Sequence, residues 1–399
     1  MFKYIKEEVR SLKGSWGYLL LVLIPILRKT VFNRARDMND YNVVDGNASV
    51  AIVMVFITVF LLLTKQKELK LYWKSNKTFI NYYLFALASV IWAGLDSIPI
   101  AGFKAVEVLS SYLLMLLIMV RIGDAFQNFR FILFSLSFLN TIYLIRLAGH
   151  NNAYPLLGIT ELLLVLGALR YRILRFRQVW HHLLIAIPTI ILSTSSASWL
   201  SLIIGLFFLY SQGRRGWKLW HSILVAGVFY LLWMTFEETI FHIVWGNKSK
   251  EMIESGTGRE QLWKAYIEGW KESPIIGHGF IVGEKGAVAA HYIAFATNTA
   301  HNMMISVLVN TGLIGMALWL MFLWKQCRIC WVESTKKNPY ALACFPAFVA
   351  MCVNANSFPV IGSEWSPVSP PIYALIIFIF LYVPQYRTKG IGNGIQNSW

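Results

Sequence analysis

Two short stretches of this chain combine residue types that could do chemistry. In "GTGREQLWKAYIEGWKESP", Arg259 follows a glycine, and Thr257 and Glu260 have the spacing of a capping box. That spacing predicts a helix that starts at Thr257 and stops before Pro274, with Arg259 in its first turn. A helix start beside a guanidinium suits a phosphate-like anion, through backbone N–H groups and paired charge-assisted bonds. In "TNTAHNMMISVLVNTGLIG", His301 and Asn302 stand where an apolar run begins, and Asn298 or Thr299 is available as its cap. An imidazole there could take one proton near neutral pH. His278, inside "GHG", and His291 are further candidates. No metal cluster is visible: Cys327 and Cys330 form a CxxC with no second pair or nearby histidine, and Cys344 and Cys352 read as core packing.

Leu262, Tyr266, Ile267 and Trp270 fall on one helical face and Lys264, Glu268 and Lys271 on the other, which predicts a helix lying on a membrane surface. Downstream, Gly312 and Gly315 predict close helix approach, and Asn310 falls about 13 Å below His301 at 1.5 Å per residue.

The elements that must position these residues are membrane spans. Of 399 residues, 57% are hydrophobic and only 14% charged, against roughly 25% charged in a soluble domain. The net charge of +16 would suggest a nucleic-acid partner in a soluble protein. Here no nucleic acid is expected, and the cations report topology. Twelve spans are predicted at 15–31, 47–64, 78–97, 104–121, 129–147, 153–169, 180–195, 197–212, 219–244, 302–324, 339–357 and 368–385. The pair 180–195 and 197–212, separated only by "STSSAS", could instead be one broken helix. The apolar run Gly17–Leu27 is followed by "RKTVFNRARD" rather than a cleavage site, so it reads as a retained first span. With both termini cytoplasmic, 24 of the 36 lysines and arginines fall inside. The expected fold is therefore all-α and polytopic. Spans 1–9 lie within 1–245, a large outer loop carrying amphipathic helices occupies 246–301, spans 10–12 lie within 302–385, and 386–399 form a cytoplasmic tail.

"GREQLWKAYIEGWKESPIIGHGF" followed by "AHNMMISVLVNTGLIG" resembles the signature of the O-antigen ligase and O-antigen polymerase superfamily. The resemblance covers about 60 residues in order; the rest agrees in topology. It implies a bacterial inner-membrane enzyme that works on undecaprenyl-pyrophosphate-linked glycans at a site facing the periplasm. A ligase moves the finished glycan onto lipid A-core, and a polymerase joins repeat units. By this resemblance Arg259 holds the pyrophosphate and His301 acts on the acceptor hydroxyl as base or orienting group, with Asn302 and His278 beside the substrate. Pyrophosphate is already a good leaving group, so cations and one proton acceptor suffice, and no cofactor or metal is called for. One long outer loop favours a ligase, since polymerases of the superfamily often have two.

One departure stands out. The family usually has an arginine in a "T-x-S-R"-like stretch between the seventh and eighth spans, where this chain reads "LSTSSASW". Arg28, Arg34 and Arg36, on the outer side against the charge rule, could supply the missing charge to the substrate, as could Lys104 or Arg146; they could equally snorkel to membrane lipids. A transporter or lipid flippase is the rival class. Its basis is Glu161, deep in "LLGITELLLVLGALR", which is expected to pair with a basic residue of an adjacent helix.

Overall fold

A computed structural model describes residues 16–31, 46–94, 98–146, 153–192, 196–212, 259–284, 300–355, 361–363 and 365–386. Among them there is no strand. The helices are α1 (Trp16–Val31), α2 (Gly46–Thr64), α3 (Gln66–Ala88, continued by a 3-10 turn to Trp92), α4 (Ile98–Ile122), α5 (Ala125–Arg146), α6 (Ala153–Arg170), α7 (Phe176–Ile191), α8 (Ser196–Ser211), α9 (Arg259–Glu272), α10 (Met303–Thr335), α11 (Pro339–Asn354) and α12 (Ser369–Gln385).

Eleven of the twelve predicted spans fall on these helices, and 219–244 lies outside the described residues. By length and composition, α4, residues Ala125–Ile145 of α5, and α10 can each cross a membrane, and the pair α2 and α3, bent by 94°, could be a fourth crossing. Four other described apolar stretches, in α1, α8, α11 and α12, are shorter. Phe56, Phe60, Ile145 and Trp324 are each at least 70% exposed, apolar surface that water would penalise and lipid would not. The chain is a membrane protein.

One predicted boundary moves. The basic stretch "KQKELKLYWKSNK", expected as a loop, is instead the first half of α3. Its leucine, lysine, glutamine and glutamate are good helix formers, and Leu69 buries one side of it. The segment 180–212 is two helices, α7 and α8.

The chain forms two compact units. The first comprises 1–132, 259–329 and 355–399. At its centre α12 is buried on all sides from Ser369 to Val383, as a helix apolar around its whole circumference must be. Phe79 stacks on Tyr112 at 3.9 Å and meets Phe322 and Tyr373 edge-on. Two of the buried hydroxyls bond beyond their own helices: Tyr112 donates to Asn76 Oδ1 at 2.6 Å and Tyr82 to the Gly362 carbonyl at 2.8 Å. Lipid tails are as apolar as leucine, so close packing and such bonds hold the helices together.

The second unit comprises 133–258 and 330–354. Small residues bring its helices into contact: a Cβ on Gly167 would lie 2.8 Å from Ala343 Cα, and one on Gly205 2.4 Å from Leu163 Cδ1. Ser198 of the "STSSAS" stretch accepts a bond from Asn354 Nδ2 at 2.9 Å. Glu161 is fully buried here and bonded to His182 Nδ1 at 2.7 Å, Asn140 Nδ2 at 2.6 Å and the Ser137 hydroxyl. The expected basic partner on an adjacent helix is thus an imidazole.

Candidate functional site

The sequence that positions the site begins with α9. It starts at Arg259 and ends at Glu272, two residues before Pro274; Thr257, the expected start, lies outside the described residues. Lys264, Glu268 and Lys271 are exposed, as the pattern predicts. The opposite face does not rest on a membrane surface. Leu262 and Tyr266 are buried with Ala300 and Val309, and Trp270 and Ile305 pack at the edge. The apolar stripe is spent inside the protein, on the start of α10.

After α9 the chain turns through "SPIIGHGF" and docks on a break in α10. Gly312 has φ 63° and ψ −164°, a region open essentially to glycine alone. The break leaves helix carbonyls and N–H groups without their usual partners, and the turn supplies new ones. His278 N–H donates to the Val309 carbonyl at 3.0 Å and Gly279 N–H to the Asn310 carbonyl at 2.9 Å. In return Leu313 N–H bonds the Pro274 carbonyl at 2.9 Å and Ile314 N–H the Ile275 carbonyl at 3.1 Å. The backbones touch: a Cβ on Gly277 would lie 2.6 Å from the Asn310 carbonyl, and one on Gly312 2.4 Å from that of Ile275. The two glycine motifs therefore fit each other. Gly312 serves a loop, not the helix neighbour that its spacing suggested.

His301 precedes α10 in the left-handed region, φ 48°, and is half-buried. Asn302 is the cap: its Oδ1 accepts from Met304 N–H at 3.0 Å and Ile305 N–H at 3.2 Å. That role had been expected of Asn298 or Thr299, but α10 begins at Met303, which puts them too far upstream. His278 Nε2 lies 2.6 Å from the Gly269 carbonyl, tying the turn back to α9.

Ala300, just before His301, is held from both sides. Its carbonyl accepts from Trp263 Nε1 at 2.8 Å, and its N–H donates to Glu284 Oε1 at 2.8 Å. Glu284 is 4% exposed, and it also accepts from Asn310 Nδ2 at 3.1 Å and from the Ser306 hydroxyl. The structure thus brings α9, whose first residue is Arg259, together with His278, His301 and Asn302. Arg28 lies on α1, while Arg34, Arg36 and His291 lie outside the described residues. Lys104 is paired with Glu107 at 3.0 Å on α4.

Comparison with known proteins adds one finding. Residues 181–320 match the family model of O-antigen ligase. No curated protein matches the chain. The O-antigen ligase match is consistent with the superfamily that the motifs resemble. It runs from α7 into α10 and so includes α9, the docked turn, His301 and the Gly312 break. Sequence reasoning missed Glu284 and Trp263 as parts of this assembly. The available signal was that Glu284 is the only carboxylate between Glu272 and Glu333, next to an apolar run.

Proposed function

We propose that this protein is an O-antigen ligase that transfers glycan from undecaprenyl pyrophosphate to lipid A-core. The observation that carries the reading is the bond from Trp263 to the Ala300 carbonyl. It ties the helix that begins with Arg259 to the peptide that precedes His301, so a phosphate-binding element and a proton acceptor belong to one packed assembly. In this reaction His301 takes the proton of the acceptor hydroxyl as its oxygen attacks the anomeric carbon. The bond from that carbon to phosphate breaks, and Arg259 with the start of α9 holds the charge that develops on the departing pyrophosphate. Neither step calls for a metal. In the proposed topology residues 246–301 face the periplasm of a bacterial inner membrane, and both termini are cytoplasmic.

Deletion of the gene followed by electrophoresis of lipopolysaccharide tests the reading. Loss of every glycan-capped band, with lipid-linked glycan accumulating, is the expected result. Core carrying a single repeat unit would instead identify a polymerase. An unchanged profile would remove both.

A further inference from the structure

Buried carboxylates need a reason, and Glu284, 4% exposed, has almost no water to satisfy it. Instead it gathers three donors: the Ala300 N–H, the Ser306 hydroxyl and the Asn310 amide. With Asn310 the pairing is reciprocal, because Glu284 N–H donates to Asn310 Oδ1 at 3.1 Å while Oε2 accepts from Nδ2. A glutamine could not replace the carboxylate. If its amide faced Asn310, two donors would meet; turning Asn310 over would move the clash to the 284 N–H. The alternative orientation would aim that amide at the Ala300 N–H and the Ser306 hydroxyl. Close contact is also built in, since a Cβ on the preceding Gly283 would lie 2.7 Å from the Val309 carbonyl.

Resting on the reading of His301 as the proton acceptor, we propose that Glu284 and Trp263 are its positioning residues. They fix the peptide before it from its N–H and its carbonyl, while Met303 N–H, bonded to the Ala355 carbonyl at 3.1 Å, and the Asn302 cap hold the chain beyond. The left-handed backbone of His301 is the conformation that this bracket imposes. A positioned base loses rate when its support slackens, and substrate binding is left alone. Neither supporting side chain needs to touch the substrate.

The test is a double-mutant cycle on the full-length protein in detergent, measuring transfer from undecaprenyl-pyrophosphate-linked glycan to lipid A-core. E284Q is expected to lower kcat about tenfold or more with KM for the donor unchanged, and to cause no further loss when added to His301→Ala. W263F, which removes only the indole N–H, should behave the same way, more mildly, and it reads the bracket if E284Q does not accumulate. Equal fold losses in both backgrounds would mean that the pair only supports the fold, and would overturn the proposal. So would wild-type kcat in E284Q or W263F beside an inactive His301→Ala. Wild-type transfer by His301→Ala would strike the base itself, a separate failure visible in that single variant.

Discussion

A histidine in the left-handed region at the start of a long helix, with the peptide before it fixed at both its polar atoms, is a costly arrangement to maintain. If that expense serves proton transfer, His301→Ala should reach the membrane at normal abundance and lower transfer by roughly 10²-fold or more, the usual worth of a general base. Immunoblotting of membranes beside a transfer assay gives both numbers. Arg259 offers a finer distinction at the same scale. Lysine keeps the charge and loses the planar two-pronged donor, so Arg259→Lys should remain clearly impaired. Full transfer by the lysine variant with none by Arg259→Ala would mean that charge alone is enough.

At the level of elements, the fit of the 274–279 turn into α10 is the feature most exposed to mutation. Gly312→Ala puts a side chain into a backbone region that costs about 1–3 kcal/mol for other residues, before the contact at 2.4 Å with Ile275 is counted. Thermal unfolding in detergent should fall by several degrees and transfer should be lost; Gly17→Ala, which meets nothing within 4 Å, is the control. Much of this region was legible in the sequence. Pro274 marked the end of α9, and the spacing of Leu262 and Tyr266 marked its buried face, because local propensity and period decide both. What covers that face was not legible: an amphipathic stripe reads alike whether it meets lipid or Ala300 and Val309. The break at Gly312 was equally hidden, since a glycine pair in an apolar run fits close helix packing as well as a docked turn. Glu284 escaped because its partners, Ala300, Ser306 and Asn310, lie 16 to 26 residues away and pair only through the fold.

Over the whole molecule, charge and topology make two further predictions. A pyrophosphate beside a low-dielectric span is poorly compensated by Arg259 alone, so a second outer cation should converge on it. Neutralising Arg28, Arg34 and Arg36 one at a time should give at least one variant that inserts, binds lipid-linked donor more weakly and fails to transfer. Lys104, already bonded to Glu107, and Arg146 are the comparison set. Loss at either of these with none at the three arginines would place the charge elsewhere. Topology is open to single-cysteine labelling once the four native thiols are replaced. Glu268→Cys should react with an impermeant reagent from the outer side, and Lys67→Cys only after the membrane is permeabilised; the reverse pattern would invert the proposed orientation. The interrupted α10 also sets an order of manufacture. Residues 274–279 leave the ribosome before Val309 to Ile314, yet their backbone bonds are made to those later residues. Until α10 has been synthesised the turn has only its local bonds, such as that from Gly277 N–H to the Ser273 carbonyl, and lacks those that dock it. The loop that carries His278 is therefore among the last parts of its own surroundings to take shape, and a nascent chain stopped short of Ile314 would carry its motif residues without the completed dock.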